Sequence, residues 1–301
     1  MAEQPIEVSI VIPAYEEEKA IGTVIDAVTA AMAAALRPDG QPYRYEILVV
    51  DDGSPDNTAA MARAKNVRVH QHHHNHGSGA ARKTGLLQAR GEIIVMIDAD
   101  GTYPAAAIPQ LLTLFPAYDQ VVGARESEQG THRLLRTLAK ESIKCLASYL
   151  VGQPIPDLNS GLRAFKRALM LRYMYLIPDG FSCVSTMSLA FLANKHPVAY
   201  VDIPYFERIG RSKFHPIKDT YQYLLTVIRV VSYFNPLHVF IPVSLGLVGF
   251  GVLKSLFDLL MTATIQESDI IAILTGVVVG ALGILADLII TQGKRDHDPH
   301  R

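Results

Sequence analysis

The sequence predicts an α/β fold built on a doubly wound, mostly parallel sheet, followed by a C-terminal two-helix membrane hairpin. Three observations predict it. Short apolar runs alternate with helix-patterned stretches through the first part of the chain. Several of those runs stop at polar clusters that are acidic or Pro-Ala-Tyr. Beyond Pro236 the apolar residues gather into two long, nearly uncharged stretches.

Taken in order, residues 6–14 (IEVSIVIPA) read as a buried strand, and the Ala-rich segment Glu18 to Leu36 has a helical pattern. Residues 45–50 (YEILVV) form a second apolar strand closed by Asp51-Asp52-Gly53-Ser54. Asn57 to Lys65 is a short helix, Val67 to His70 a third strand and Ala80 to Ala89 a helix. Residues 93–97 (IIVMI) make another strand that ends in Asp98, and Gln120 to Gly123 a further short one. Strands that alternate with helices pair in parallel. Such sheets bind ligands beyond the carboxyl ends of their strands. Here those ends carry Pro13-Ala14-Tyr15, Asp51-Asp52 and Asp98-Ala99-Asp100.

Past the sheet, Thr131 to Leu150 and Ile217 to Phe234 are amphipathic, with basic residues beside apolar and aromatic ones. That composition suits helices lying in the headgroup plane. Two apolar stretches follow, at about 237–261 and 270–290, each long enough to cross a bilayer, which takes about 20 residues. The link from Thr262 to Asp269 has no Lys or Arg, whereas Arg208, Arg211, Lys213, Lys218 and Arg229 precede the pair and Lys294, Arg295 and Arg301 follow it. By the positive-inside rule a catalytic domain over 1–234, the tail over 292–301 and both termini are expected on the cytoplasmic side of a multi-pass plasma-membrane protein. No signal peptide is read in the acidic N-terminus. Lys254 and Asp258 stand i,i+4 inside the first span, a placement that suggests function and equally suits a neutralising pair or a contact between subunits of a homo-oligomer.

Composition excludes some classes. The 301 residues carry a formal net charge of -1, so no basic field points to nucleic acid. Cys145 and Cys183 are the two cysteines, in no CxxC spacing, which argues against a disulfide framework or a zinc site. His70, His72, His73, His74 and His76 crowd one segment without defined ligand spacing and read as a solvated loop or a local substrate contact.

Asp98 and Asp100 are hard oxygen ligands at i and i+2 beyond a buried strand. They suit Mg²⁺ or Mn²⁺, which bind through one or two carboxylates plus substrate phosphates. Such an ion offsets charge on a departing nucleoside diphosphate.

Pro13-Ala14-Tyr15-Glu16-Glu17, Val50-Asp51-Asp52-Gly53-Ser54, Asn75-His76-Gly77, Asp98-Ala99-Asp100-Gly101 and Asn159-Ser160-Gly161-Leu162-Arg163-Ala164-Phe165 together resemble the family 2 glycosyltransferases of the GT-A fold. Arg208 with Gly210-Arg211-Ser212-Lys213 is similar to a late R-x-x-G-x-S-K signature of the polyprenyl-phosphate branch, which includes dolichyl-phosphate mannose synthase, with one residue fewer between the arginine and the glycine. The resemblance implies an inverting transfer of a sugar from a UDP- or GDP-sugar to a polyprenyl (undecaprenyl or dolichyl) phosphate, as in cell-envelope glycosylation. It implies that Pro13, Tyr15, Glu17 and Asp52 form the base and ribose pocket, with Asp98 and Asp100 as ligands to metal and diphosphate. It places Arg208 and Lys213 as a clamp on the diphosphate. Arg125, Arg133, Arg136 and Lys140 would receive the acceptor phosphate, and Asp157 and Ser160 would line the acceptor pocket. Some relatives carry a glutamine metal ligand two residues after the second aspartate, where this chain has Thr102.

The residues agree with that assignment. Arg136 and Lys140, at i,i+4, share a helix face, and the guanidinium fork binds two phosphate oxygens. A phosphate monoester is already anionic near neutral pH, its second pKa being about 6, so the reaction needs position and charge stabilisation more than a strong base. The competing readings are a processive polysaccharide synthase, which the absence of tryptophan disfavours, a nucleotidyltransferase, and a non-catalytic membrane scaffold of the same fold.

Overall fold

The computed structural model describes residues 5–126, 144–149, 151–180, 182–209, 221, 225, 228–229, 232–233 and 235–296. The chain divides into two compact units, one of Met1–Ser148 with Gln153–Val227 and one of Tyr149–Gly152 with Ile228–Arg301.

The first unit opens on β1 (Val8–Ala14), buried along nearly its whole length as an apolar run between two helix layers must be. Helix α1 (Ile21–Ala34) follows, with Ile21, Val24, Ile25, Val28 and Met32 on its buried stripe. Then come β2 (Tyr45–Asp51), α2 (Thr58–Arg63), β3 (Arg68–Gln71), α3 (Ser78–Gln88), β4 (Ile93–Met96), α4 (Ile108–Leu112) and β5 (Gln120–Arg125). The remaining elements are β6 (Arg163–Lys166), α5 (Arg167–Arg172), α6 (Cys183–Ala193) and β7 (Val198–Ile203).

Among the described residues the strands form one seven-stranded sheet in the order β3-β2-β1-β4-β6-β5-β7. Strands β3, β2, β1 and β4 are parallel. Strand β6 runs against both β4 and β5, and β7 is parallel to β5. The expected doubly wound, mostly parallel sheet is therefore present, with β6 as the reversed strand. Two apolar clusters cover its faces. One packs α1 and α4 on Val8, Ile10, Ile12, Val95 and Val121. The other packs α3 and α6 on Val11, Leu48, Val50, Ile94 and Phe165.

The second unit is a helical hairpin, α7 (Pro236–Thr262) and α8 (Glu267–Asp296). At about 1.5 Å per residue, helices of this length exceed the roughly 30 Å hydrocarbon layer of a bilayer. Leu253, Leu260 and Ile289 lie well exposed. The helices meet along small residues. A Cβ on Gly276 would meet the Ser244 carbonyl oxygen at 2.9 Å, and Ser244 Oγ donates to the Gly276 carbonyl at 2.7 Å. The Gly276-Val-Val-Val-Gly280 spacing thus serves packing within the hairpin. Lys254 is joined to Asp258 at 2.7 Å, as its i,i+4 spacing allows, but also to Asp269 in the first turn of α8 at 2.6 Å and to Ser268 at 3.0 Å. Asp269 also accepts from Gln266 N at 3.0 Å. The charge therefore sits in a cross-helix cluster at the turn end of the hairpin.

Candidate active site

Because β1, β2, β4, β5 and β7 run the same way, their carboxyl ends share one edge of the sheet. Strand β6 runs oppositely, so the residues that precede it reach that edge too. The topology thereby gathers Tyr15 to Glu17, Asp51 and Asp52, Asp98 to Asp100, Arg125, Asp157 to Ser160, and Tyr205 to Arg208.

The two aspartates of the turn after β4 differ in their surroundings. Asp100 is buried, and its Oδ1 accepts from the Thr102 amide at 3.1 Å and the Thr102 hydroxyl at 2.6 Å. Thr102 thus fixes the orientation of Asp100. Backbone bonds from Phe206 N to Thr102 O (2.9 Å) and from Ile209 N to Asp100 O (3.2 Å) stitch the segment after β7 onto this turn. They bring Arg208 Nε to 3.5 Å from Asp100 Oδ2, while Arg208 Nη2 donates to Glu17 Oε1. Burial, and then the charge of Asp98, push the Asp100 carboxyl above the usual carboxylate range. Asp98 is more open, with 29% of its side chain exposed, and its Oδ1 accepts from Arg82 Nη2 at 2.5 Å. Gly161 lies against this carboxylate so closely that any Cβ would collide with it, and its amide donates to the Tyr103 hydroxyl at 2.7 Å.

The acidic turn after β2 is used differently. Asp52 accepts from the amides of His76 (3.0 Å) and Gly77 (2.8 Å) and pairs with His72 Nδ1 at 2.7 Å. His72 Nε2 is 2.9 Å from Thr84 Oγ1. Asp52 therefore organises the loop that leads into α3. Its neighbour Asp51 is fully buried, and its Oδ1 lacks a hydrogen-bond partner among the described residues. Rings of His70, His72, His76 and His74 touch in succession along that loop.

On the other side of the turn, Arg125 grips Asp157 with two bonds, Nε to Oδ2 at 2.6 Å and Nη2 to Oδ1 at 2.9 Å. Burial works to raise the Asp157 carboxyl, but the Arg125 bonds and charge outweigh it and leave the group below its ordinary range. The Arg125 guanidinium also stands 5.3 Å from the centre of the Tyr205 ring, which meets Tyr103 edge-on. Beneath, Arg163 is wholly buried, donating to Ser160 O, Val184 O and Ser188 Oγ. Burial first, and then the Arg82 charge, lower it to about 10.

Residues 9–175 match the family model described as glycosyl transferase family 2, more than half of the chain. The chain belongs to that family. Residues 235–291 match the GtrB C-terminal hairpin, which with α7 and α8 marks this family 2 glycosyltransferase as membrane-associated. It is 32% identical to the dolichyl-phosphate hexose transferase of Haloferax volcanii over 215 residues, 70% of this chain and 87% of the relative. It is 25% identical to the dodecaprenyl-phosphate galacturonate synthase of Rhizobium johnstonii, with 97% of this chain and 90% of the relative covered. Among solved structures, glucosyl-3-phosphoglycerate synthase from Mycobacterium tuberculosis, in a complex with Mn²⁺, UDP and glucosyl-3-phosphoglycerate, superposes with a TM-score of 0.56 at 22% identity, over 75% of this chain and 80% of that one. The shared architecture is the GT-A fold.

Against that family, the structure brings Glu17, Asp98, Asp100 and Arg208 into one connected group, with Pro13, Tyr15 and Asp52 on the same edge. Arg125 and Asp157 form an adjoining pair, while Ser160 is fully buried with its hydroxyl on the Leu162 carbonyl. Arg133, Arg136, Lys140 and Lys213, and most of the two amphipathic stretches, lie outside the described residues. Sequence reasoning missed Arg82 and Arg163. Arg163 stood inside the quoted Asn159–Phe165 motif, and Arg82 was legible only as one charge within Gly79-Ala80-Ala81-Arg82-Lys83.

Proposed function

We propose that this family 2 glycosyltransferase transfers a sugar, with inversion, from a UDP- or GDP-sugar to a polyprenyl phosphate at the cytoplasmic face of the plasma membrane. The observation that carries the reading is the crowded carboxylate pair, Asp98 and Asp100, beside Arg208 at a GT-A sheet edge in a chain with a hairpin anchor. The names of the relatives, which are polyprenyl-phosphate sugar transferases, support the acceptor class. The Lys- and Arg-free link between α7 and α8 supports the orientation, with both termini cytoplasmic.

The carboxylate pair fits a hard divalent cation. Asp100 is buried and held uneasily charged by Asp98, and a cation would relieve that repulsion. Mg²⁺ or Mn²⁺ held by Asp98 and Asp100 would supply positive charge to the departing nucleoside diphosphate. Arg208, positioned by Glu17, and Lys213 balance the same leaving group. Pro13, Tyr15 and Asp52 bound the base and ribose. Arg125, joined by Arg133, Arg136 and Lys140, receives the lipid phosphate, with Asp157 and Ser160 lining its approach. A phosphate oxygen forms the new bond to the anomeric carbon as the bond from that carbon to the donor phosphate breaks. The acceptor brings its own negative charge, so the residues act by position and field rather than as a base.

The test is Asp100→Ala in detergent with nucleotide-sugar and lipid phosphate. Turnover should fall by about 10²-fold or more, the scale of losing one main electrostatic stabiliser. Near-wild-type turnover would overturn the role of the pair.

A further inference from the structure

Asp98 already has a cation. Arg82 rises from the second turn of α3, which is anchored by Gly79 N donating to Asp179 O at 2.7 Å and by Ala81 and Leu86 in the core. Its side chain is 8% exposed, its Nη1 donates to Ser78 O at 3.1 Å, and its Nη2 donates to Asp98 Oδ1 at 2.5 Å. Arg163, the neighbouring buried cation, is bound to carbonyl and hydroxyl oxygens, and its charge repels that of Arg82. Asp98 is the carboxylate that Arg82 meets among the described residues. Helix α3, which carries Arg82, and β4, which leads into Asp98, are both packed into the core, so the pair is built on anchored backbone.

From this geometry we infer that Arg82 is the resident counter-ion of Asp98, and that it makes the divalent cation and the nucleoside diphosphate bind as a pair. The inference rests on the reading of Asp98 and Asp100 as metal ligands. A divalent cation arriving alone must share Asp98 with a fixed positive charge in a partly desolvated setting, where like charges repel strongly. A diphosphate arriving with the cation brings the anionic oxygens that both positive groups need. The two ligands are then coupled, and each strengthens the other by the same factor.

The test measures Mn²⁺ binding by electron paramagnetic resonance on the full chain in detergent, with and without UDP. In the wild type, Mn²⁺ alone should bind weakly and UDP should tighten it. Arg82→Met keeps the length and removes the charge; it should bind Mn²⁺ alone about tenfold tighter, with a smaller gain from UDP. Arg82→Lys should stay near the wild type. Arg82→Gln keeps a donor to Asp98 without the charge, should behave as Met does, and carries the test if the Met variant fails to fold. Uncharged variants that fold and bind Mn²⁺ alone no better than the wild type overturn the inference. If neither the wild type nor any variant binds Mn²⁺ even with UDP, the metal reading of Asp98 and Asp100 falls, and the inference with it.

Discussion

The two edges of the sheet each hold an acid surrounded by basic and hydroxyl groups, and the acids are shifted in opposite directions. At the edge away from the site, Asp119 accepts from Lys166 Nζ at 2.6 Å and pairs with His196 Nδ1 at 2.8 Å, and His196 Nε2 is 2.8 Å from the Tyr173 hydroxyl. Burial works to raise the Asp119 carboxyl, but the Lys166 and His196 bonds outweigh it and the group lies below its ordinary range. At the carboxyl edge, Asp100 accepts from Thr102, has Arg208 Nε at 3.5 Å, faces the charge of Asp98, and lies above its ordinary range. One cluster is complete in itself and ties the end of β6, the residue after α5, the entry to β5 and the turn before β7 together. In the other, burial and the neighbouring Asp98 charge outweigh the contacts that Thr102 and Arg208 make with Asp100.

Replacing groups on each edge sharpens that contrast. The largest effect belongs to Arg208, which bridges Glu17 and Asp100. Arg208→Ala should lower kcat by about 10²-fold, measured by steady-state transfer. Arg125 comes next. Arg125→Ala leaves Asp157 buried and unpaired, which should cost about 3 kcal/mol of stability. The double variant Arg125→Ala with Asp157→Asn should recover most of that stability and still show an acceptor KM raised by about tenfold. If the acceptor KM recovers together with the stability, Arg125 acts on folding alone.

The smallest effect is the pH dependence of the structural edge. Asp119 has a folded pKa below its unfolded value of about 3.9, so its stabilisation is fully present above that pH and is lost as the pH falls through the lower folded value. Thermal unfolding between about pH 6 and pH 3 should show the wild type losing more stability than Asp119→Asn, with kcat at neutral pH alike in both. A matching acid loss in the two proteins would remove the contrast between the edges.

Legibility in the sequence followed the same division. Strands β1, β2 and β4 were readable because a strand buried on both faces is a continuous apolar run. Strand β6 was not, because its four residues Arg163–Lys166 include two cations, one of them buried in the core. Strand β7 (VAYVDI) went unread although Pro197 and Pro204 bound it. The acids of the site were visible because Asp98 and Asp100 stand directly after an apolar run. Arg82 and Arg163 were not, since a buried arginine looks like a surface charge until its partners are known. The same holds in the hairpin, where Lys254 and Asp258 were read as a pair along one helix, and Asp269 joins them across the turn. Thr102 was read as a departure from a metal ligand, and the fold uses its hydroxyl to hold Asp100.

The most direct test of the central claim is to incubate membranes that contain the protein with a panel of radiolabelled nucleotide-sugars, Mn²⁺, and either undecaprenyl phosphate or undecaprenol. The account predicts that label from one sugar enters the lipid fraction with the phosphate and not with the alcohol, and that Asp100→Ala abolishes it. Equal labelling of both lipids, or label appearing only in free sugar or polymer, would contradict it.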